Sequence, residues 1–392
     1  MPAPVIAIDG EWYDLNNFYA KHPGGKQILD NFNGADATDA FYSLHSENAI
    51  KQLKLMKPIE SKRQVPEPKK IDKAFRALKT QLEAEGWWSR DALSEAKLIL
   101  PIVAMCAWGT VYSYTYPLWS MLAISVAMCQ AGWLGHDMTH ARNSKYCDTM
   151  LGFVTGWVNG FDRTWWSRKH NTHHVLTNHI GVDPDIDMMP AIFLWAPSKE
   201  LDHHFRKWQH FYALPLYSLL YVTWRFNSLE YAIRKNDRKT LFYYLLPGYV
   251  WLLCMPWIVS MGSVLLGGWL VAVVVVQSHE AEEMFHTSQP LSFVETQFKS
   301  TIDIVCPDPV TEYWFGGMQY QLSHHLFPTM PRYKYPALQP VLEEWGKKNG
   351  LAYRKVGLIG GFIRHFSHLR ENALKTADEG CISNGWSAKA LD

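Results

Sequence analysis

Residues 165–174 read WWSRKHNTHH, placing His170, His173 and His174 within five positions. Neutral imidazole is the commonest protein metal ligand, and a run of imidazoles makes a poor apolar core. A solvated surface cluster would have the same local composition. What decides the fold is whether other histidines of the chain can be brought to the same point.

Two pairs of apolar runs answer that. AKLILPIVAMCAWGTVYSYTY (96–116) and PLWSMLAISVAMCQAGWLG (117–135) are each about the length that crosses a bilayer. A second pair is LFYYLLPGYVWLLCMPWIVSM (241–261) and GSVLLGGWLVAVVVVQ (262–277). The run FYALPLYSLLYVTW (211–224) is interrupted by Pro215 and followed by Arg225, and reads as interfacial or buried. Four spans in two tight hairpins send all the remaining histidine clusters to one face. His136 and His140 of HDMTH follow the second span, and His279 follows the fourth. His324 and His325 of QLSHH, with Gln321 at the head of that box, lie beyond it. The hairpin turns on the opposite face carry no Lys or Arg while 141–240 carries many, so the histidine face is expected to be cytosolic.

The i, i+4 spacing of His136 and His140 puts both on one helix face, as a metal-binding pair requires. Eight histidines exceed the roughly four ligands that a single zinc takes. They suit two metals with open positions, and imidazole-rich ligation suits iron that meets oxygen.

Composition agrees with a membrane setting. The 392 residues carry a formal charge of only +1, which gives no bulk attraction for nucleic acid. The 18 Trp and 19 Tyr suit the two membrane–water interfaces. The cysteines, Cys106, Cys129, Cys147, Cys254, Cys306 and Cys381, show no CxxC or disulfide spacing and read as reduced thiols facing the cytosol. The start, MPAPVIAIDGEW, lacks the pattern of a cleaved signal peptide.

Residues 1–56 read as a small soluble α+β module with a turn at Asp9-Gly10 and a break at HPGG. IDGEWYDLNNFYAKHPGG followed by DATDAFYSLH resembles the cytochrome b5 family. The resemblance implies that His22 and His45 are the two axial ligands of a b-type haem. Two imidazoles leave iron no open position, which suits electron transfer. Residues 57–95 are expected to be a Pro- and charge-rich linker, then a helix with Phe75, Leu78 and Leu82 on one face. That helix lies either on the membrane surface or against the following domain.

HDxxH, HxxHH and QxxHH, in this order and topology, resemble the membrane fatty-acid desaturases. The leading Gln321 and the fused haem module resemble their front-end subgroup, which inserts a double bond between an existing one and the carboxyl end of an acyl chain. The supporting stretches are WWSRKHNTHHVLTNHIGVDPDID and WFGGMQYQLSHHLFPTMPR. The resemblance implies that His136, His140, His170, His173, His174, His279, His324 and His325 ligate two irons, with Gln321 a ligand or an outer partner. It places Trp165, Trp166 and Lys169 at the membrane surface beside the box. The chain departs from the family pattern at Ser323, where an acidic residue is more familiar, and at Thr139, where glycine is expected.

Other polar residues carry weaker claims. Asp137 is a possible acceptor for a ligand imidazole. His203, His204 and His210 read as surface or outer-shell groups, and His179 and His286 lie near the boxes. Asp183, Pro184 and Asp185 are expected to shape a turn, and His365 and His368 to be solvated.

The expected protein has a cytochrome b5-like haem domain (1–56) and an all-α membrane domain (96–372) with four transmembrane helices and a cytosolic di-iron cap. A disordered tail (373–392) follows. It would use O₂ and electrons from NADH-cytochrome b5 reductase to desaturate an acyl-CoA or acyl-lipid in the endoplasmic reticulum. Desaturation of a sphingoid base, or hydroxylation or epoxidation on the same scaffold, is the alternative. A membrane-anchored cytochrome b5 electron carrier is the rival from another class.

Overall fold

The computed structural model describes residues 4–140, 145–285 and 292–377. The N-terminal module opens with β1 (Val5–Ile8) and β2 (Glu11–Asp14), an antiparallel hairpin pairing Ile8 with Glu11. Asp9 and Gly10 turn it with φ of 53° and 84°, a turn in which both central residues are left-handed. Helices α1 (Lys26–Asn31), α2 (Thr38–Leu44) and α3 (Glu47–Leu53) follow and form the walls of a cleft. The module's packing reaches into the stretch read as linker. Ile59 bridges to Trp12, whose Nε1 donates to the Arg63 carbonyl at 2.8 Å.

Helix α4 (Lys70–Ala84) joins the two halves. Phe75, Leu78 and Leu82 are buried against Val294, Phe298, Phe327 and Leu338, so of the two expected placements the helix packs on the following domain. From its other face, Arg76 Nε donates to Asp39 Oδ1 at 2.7 Å and Lys79 Nζ to the Tyr42 carbonyl at 2.8 Å, both in the N-terminal module.

Three helices among the described residues are long and apolar enough to cross a membrane: α5 (Ala92–Val111), α6 (Pro117–His140) and α13 (Trp257–His279). The run 241–261 does not form one continuous helix. Beyond α11 (Arg238–Thr240), a π-helical turn (Leu241–Leu245) leads into α12 (Leu246–Leu253), which stops before Pro256. Pro256, at ψ 141°, cannot continue a helix and instead starts α13, so the hairpin turn falls at 254–256 rather than at 261/262. The expected boundary at 261/262 lies inside α13.

Between α6 and α11 lie α7 (Lys145–Leu151), a π-helical turn (Gly152–Val158), α8 (Arg163–Val175), α9 (Gln209–Leu216) and α10 (Leu220–Arg234). The apolar run at 211–224 is two-faced. Phe211, Leu219 and Val222 are exposed, while Tyr217 and Tyr221 are buried against α13 and the core. Helices α14 (Phe293–Ser300), α15 (Pro309–Phe315), α16 (Gln321–Leu326), α17 (Tyr335–Lys348) and α18 (Leu358–Ala373) complete the body. A short parallel pair, β3 (Asp303–Val305) with β4 (Lys355–Gly357), lies among them. The tail after residue 377, with Cys381, falls outside the described residues.

The 1% exposure of Phe75 makes α4 testable. Phe75→Ala is expected to cost about 3–5 kcal/mol. In detergent it should lower the thermal unfolding midpoint of the body, and an unchanged midpoint would show that α4 does not hold the domain.

Candidate haem and metal centres

His22 follows a short 3₁₀ turn and His45 caps the C-terminus of α2, on facing walls of a cleft of about 580 Å³. His22 Nδ1 lies 3.0 Å from the Gly25 carbonyl and His45 Nδ1 3.0 Å from the Phe41 carbonyl. Each carbonyl fixes the tautomer with the proton on Nδ1 and leaves Nε2 for the cleft. The ring centroids are 6.0 Å apart. Imidazole–metal bonds of about 2 Å on opposite sides of one ion require a centroid separation of roughly 6 Å. Burial lowers the His22 pKa and takes that of His45 down to about 4, so both rings are neutral and ready to ligate. A Cβ on Gly24 would meet His22 Cε1 at 2.8 Å, which explains the glycine of HPGG.

The second centre is built where four helices end. His136 and His140 occupy the last turn and a half of α6, and His279 is the last residue of α13. His170, His173 and His174 lie on α8, whose start is set by Asp162 accepting from the Thr164 and Trp165 amides at 2.7 Å. Gln321, His324 and His325 lie on α16. The side chains fall into two groups, each with its nitrogens within 4.8 Å of one another. One is His136, His140, His170, His174 and His324; the other is His173, His279 and His325. All eight expected histidines are therefore brought together.

Inner nitrogens crowd each other. His174 Nε2 is 2.9 Å from both His170 Nε2 and His324 Nε2. The Gln321 amide lies 3.0 Å from His279 Nε2 and 3.3 Å from His325 Nε2. Outer nitrogens are held. His173 Nδ1 lies 2.9 Å from Asp183 Oδ2, His279 Nδ1 2.9 Å from the Ser300 carbonyl, and His325 Nδ1 2.9 Å from Gln297 Oε1. His324 Nδ1 is 3.1 Å from the Tyr335 hydroxyl. Neither nitrogen of His140 has a hydrogen-bond partner among the described residues. Burial, reinforced by the neighbouring imidazoles, holds His170, His174, His324 and His325 well below the usual histidine pKa. Neutral nitrogens converging in this way are a donor set that a cation completes.

Several weaker expectations are corrected. Asp137 does not meet an imidazole; it lies 3.3 Å from Arg332 Nε. Asp183 does more than shape a turn. It accepts from the Asn178 and Asp185 amides and holds His173. Trp165 and Trp166 are buried with Trp224 and Tyr231, Trp166 stacking on His170. Lys169 is buried too, paired with Asp185 over the Trp224 ring, and burial brings its pKa down to about 8. His365 is fully buried, 2.5 Å from the Tyr217 hydroxyl, and His368 lies 3.0 Å from the Leu194 carbonyl, because α18 packs inward. His179, His203, His204 and His210 join neither metal group, and His286 lies outside the described residues.

Sequence reading missed Gln297, Tyr335 and Asp303. Asp303 accepts from the Leu322 amide at 2.9 Å and from the Tyr353 hydroxyl at 2.5 Å, anchoring the start of α16. All three are distant from the boxes in sequence and carry no local signal.

Comparison with known families agrees with this arrangement. The profile "Fatty acid desaturase" matches residues 113–357, and "Cytochrome b5-like Heme/Steroid binding domain" matches residues 3–75. The chain belongs to the fatty acid desaturase family. This desaturase is 30% identical to a Delta(8)-fatty-acid desaturase of Euglena gracilis, over 87% of its own length and 88% of the relative's. It is 27% identical to a Delta(6)-fatty-acid desaturase of Caenorhabditis elegans, over 94% and 96%. An acyl-lipid (9-3)-desaturase of Physcomitrium patens is 29% identical over 95% of this chain and 76% of the relative. It is thus an oxidoreductase with an N-terminal cytochrome b5 domain, which implies haem, and a buried histidine cluster that suggests iron.

Asp183→Asn tests the outer partners while keeping the side chain's shape. Loss of such a partner weakens metal binding about 10–100-fold. Iron per chain after dialysis against a chelator should fall accordingly while the haem absorbance stays; full iron retention would separate Asp183 from the site.

Proposed function

We propose that this desaturase is a membrane-bound front-end enzyme that introduces a cis double bond into an unsaturated acyl chain, between an existing double bond and the carboxyl end. His136, His140, His170, His174 and His324 hold one iron. His173, His279 and His325 hold the other, with Gln321 beside it; half a turn of the amide presents its oxygen to the same point. His22 and His45 hold a b-type haem. When bound, haem supplies single electrons and the irons supply dioxygen chemistry. In the overall balance O₂, two electrons and two protons are consumed, the chain loses two hydrogens, and two waters form. An unactivated C–H bond offers no acidic proton to a side-chain base, so the side chains bind and orient rather than carry the chemistry.

One observation supports this reading above the others: α8 serves both centres. Its His173 and His174 face the histidine cluster, and the next residue, Val175, lines the haem cleft. On the same helix Arg168 Nε donates to the Pro23 carbonyl, beside His22. With haem bound in that cleft, its wall at Val175 and the second box at His174 would be one peptide link apart. A cavity of about 390 Å³ begins at His136, His170, His173 and Gln321 and continues between apolar walls that include Ile192, Leu216 and Val271. Those walls suit a hydrocarbon chain and keep water from it.

We read the body as crossing the membrane four times, with the run through α12 as the third crossing and the histidine end cytosolic. The absence of Lys and Arg from the turns around 112–117 and 254–256 supports that orientation. The electron donor is an NADH-cytochrome b5 reductase, the substrate an acyl-CoA or acyl-lipid, and the membrane that of the endoplasmic reticulum.

Expression of the full chain in yeast fed polyunsaturated acids should yield products two hydrogens lighter. A gain of oxygen would instead identify a hydroxylase. His324→Ala should abolish product and keep the haem spectrum, whereas His45→Ala should lose both. Wild-type protein loaded with haem and zinc but making no product would favour the electron carrier.

A further inference from the structure

The wall of the cavity beneath the histidines holds a buried amide with no hydrogen-bond partner for its side chain among the described residues. Asn159 ends the π-helical turn Gly152–Val158, is 0% exposed and lines the cavity. Neither its Nδ2 nor its Oδ1 has a hydrogen-bond partner among the described residues. Two hydroxyls near it are committed elsewhere. The Tyr221 hydroxyl donates to the Met128 carbonyl at 3.2 Å, and the Thr155 hydroxyl to the Leu151 carbonyl at 2.5 Å. Buried amides are nearly always hydrogen-bonded, so an amide left open in a cavity wall points to a partner that arrives with the ligand.

The position of Asn159 indicates which part of the ligand that is. Gly132 lies one turn of α6 before His136, and a Cβ there would stand 3.8 Å from Asn159 Nδ2 and 2.8 Å from the Tyr221 hydroxyl. Asn159 is therefore about one helical pitch, roughly 5 Å, past the histidines toward the apolar body. A chain whose carbons lie at the histidines sends its methyl end that way. In a front-end substrate the existing double bond is on the methyl side of the carbons being oxidised. The π-face of that bond is the feature of a hydrocarbon chain able to accept from an N–H, and its vinylic C–H groups are weak donors to an amide oxygen.

We propose that Asn159 is a specificity-determining residue whose amide meets the existing double bond of the acyl chain, favouring an unsaturated chain over a saturated one of equal length. This rests on the front-end reading above.

The test uses membranes containing the full-length, haem- and iron-loaded protein. An unsaturated eighteen-carbon acyl substrate is converted in the presence of its saturated counterpart as competitor, and the competitor's inhibition constant is divided by the substrate's KM. In Asn159→Leu and Asn159→Ala this ratio should fall about two- to fivefold, the size of a weak N–H···π contact. The haem spectrum and iron content should stay as in the wild type, and the thermal midpoint of the Leu variant should not drop, since an unpaired amide has been removed. An unchanged ratio in both variants overturns the proposal. So does a lowered midpoint with conversion reduced and the ratio preserved, which would mark a structural amide. Wild-type protein that converts no unsaturated substrate overturns the front-end reading, and the assignment of Asn159 with it.

Discussion

Each imidazole of the histidine cluster is out of water and has two nitrogens to satisfy, and the fold supplies partners mainly on the outer side. Asp183, the Ser300 carbonyl, Gln297 and Tyr335 hold the outer nitrogens of His173, His279, His325 and His324. The inner nitrogens of His170, His174 and His324 are left 2.9 Å apart with only one another to face. Neutral nitrogens so placed share a proton at best, and burial keeps the rings from charging. The arrangement is at ease only around cations.

That requirement explains why the ends of α6, α8, α13 and α16 meet. No single helix carries enough donors, and two of the four also form the wall of the apolar core. The elements that look peripheral serve the same convergence. Asp303, on a three-residue strand, fixes the start of α16, and α4 packs Phe75 against Phe327, just after the third box. The bend at Pro256 starts α13 early, giving it 23 residues and ending it at His279.

The haem module is bound into this scheme by contact as well as by tether. Arg76 and Lys79 reach it from α4, and Arg168 and Val175 reach it from α8. A donor fused and docked beside its acceptor acts at high effective concentration, so its encounter with the cluster does not depend on diffusion.

The residues of chemistry were legible because their spacing is local. HDMTH, HNTHH, QLSHH and HPGG each place donors within one or two helical turns, and the apolar runs around them require a common face. Three of the four helices expected to cross a membrane are also long and apolar enough to do so among the described residues. What the sequence could not decide were relations between distant segments. Pro256 moved a helix boundary from 261/262 to 254–256. Local polarity suggested solvent for His365 and the membrane surface for Lys169, yet α18 and α8 bury both, because a polar side chain is accepted inside when a partner waits there. Sequence assigned the imidazole to Asp137 and only a turn to Asp183; the tertiary structure pairs Asp137 with Arg332 and gives His173 to Asp183. The sequence by itself determined which atoms could bind metal and haem. The packing of helix ends decided which of them meet, who holds their outer nitrogens, and that Asn159 is left open to the cavity, because those depend on contacts between residues far apart in the chain.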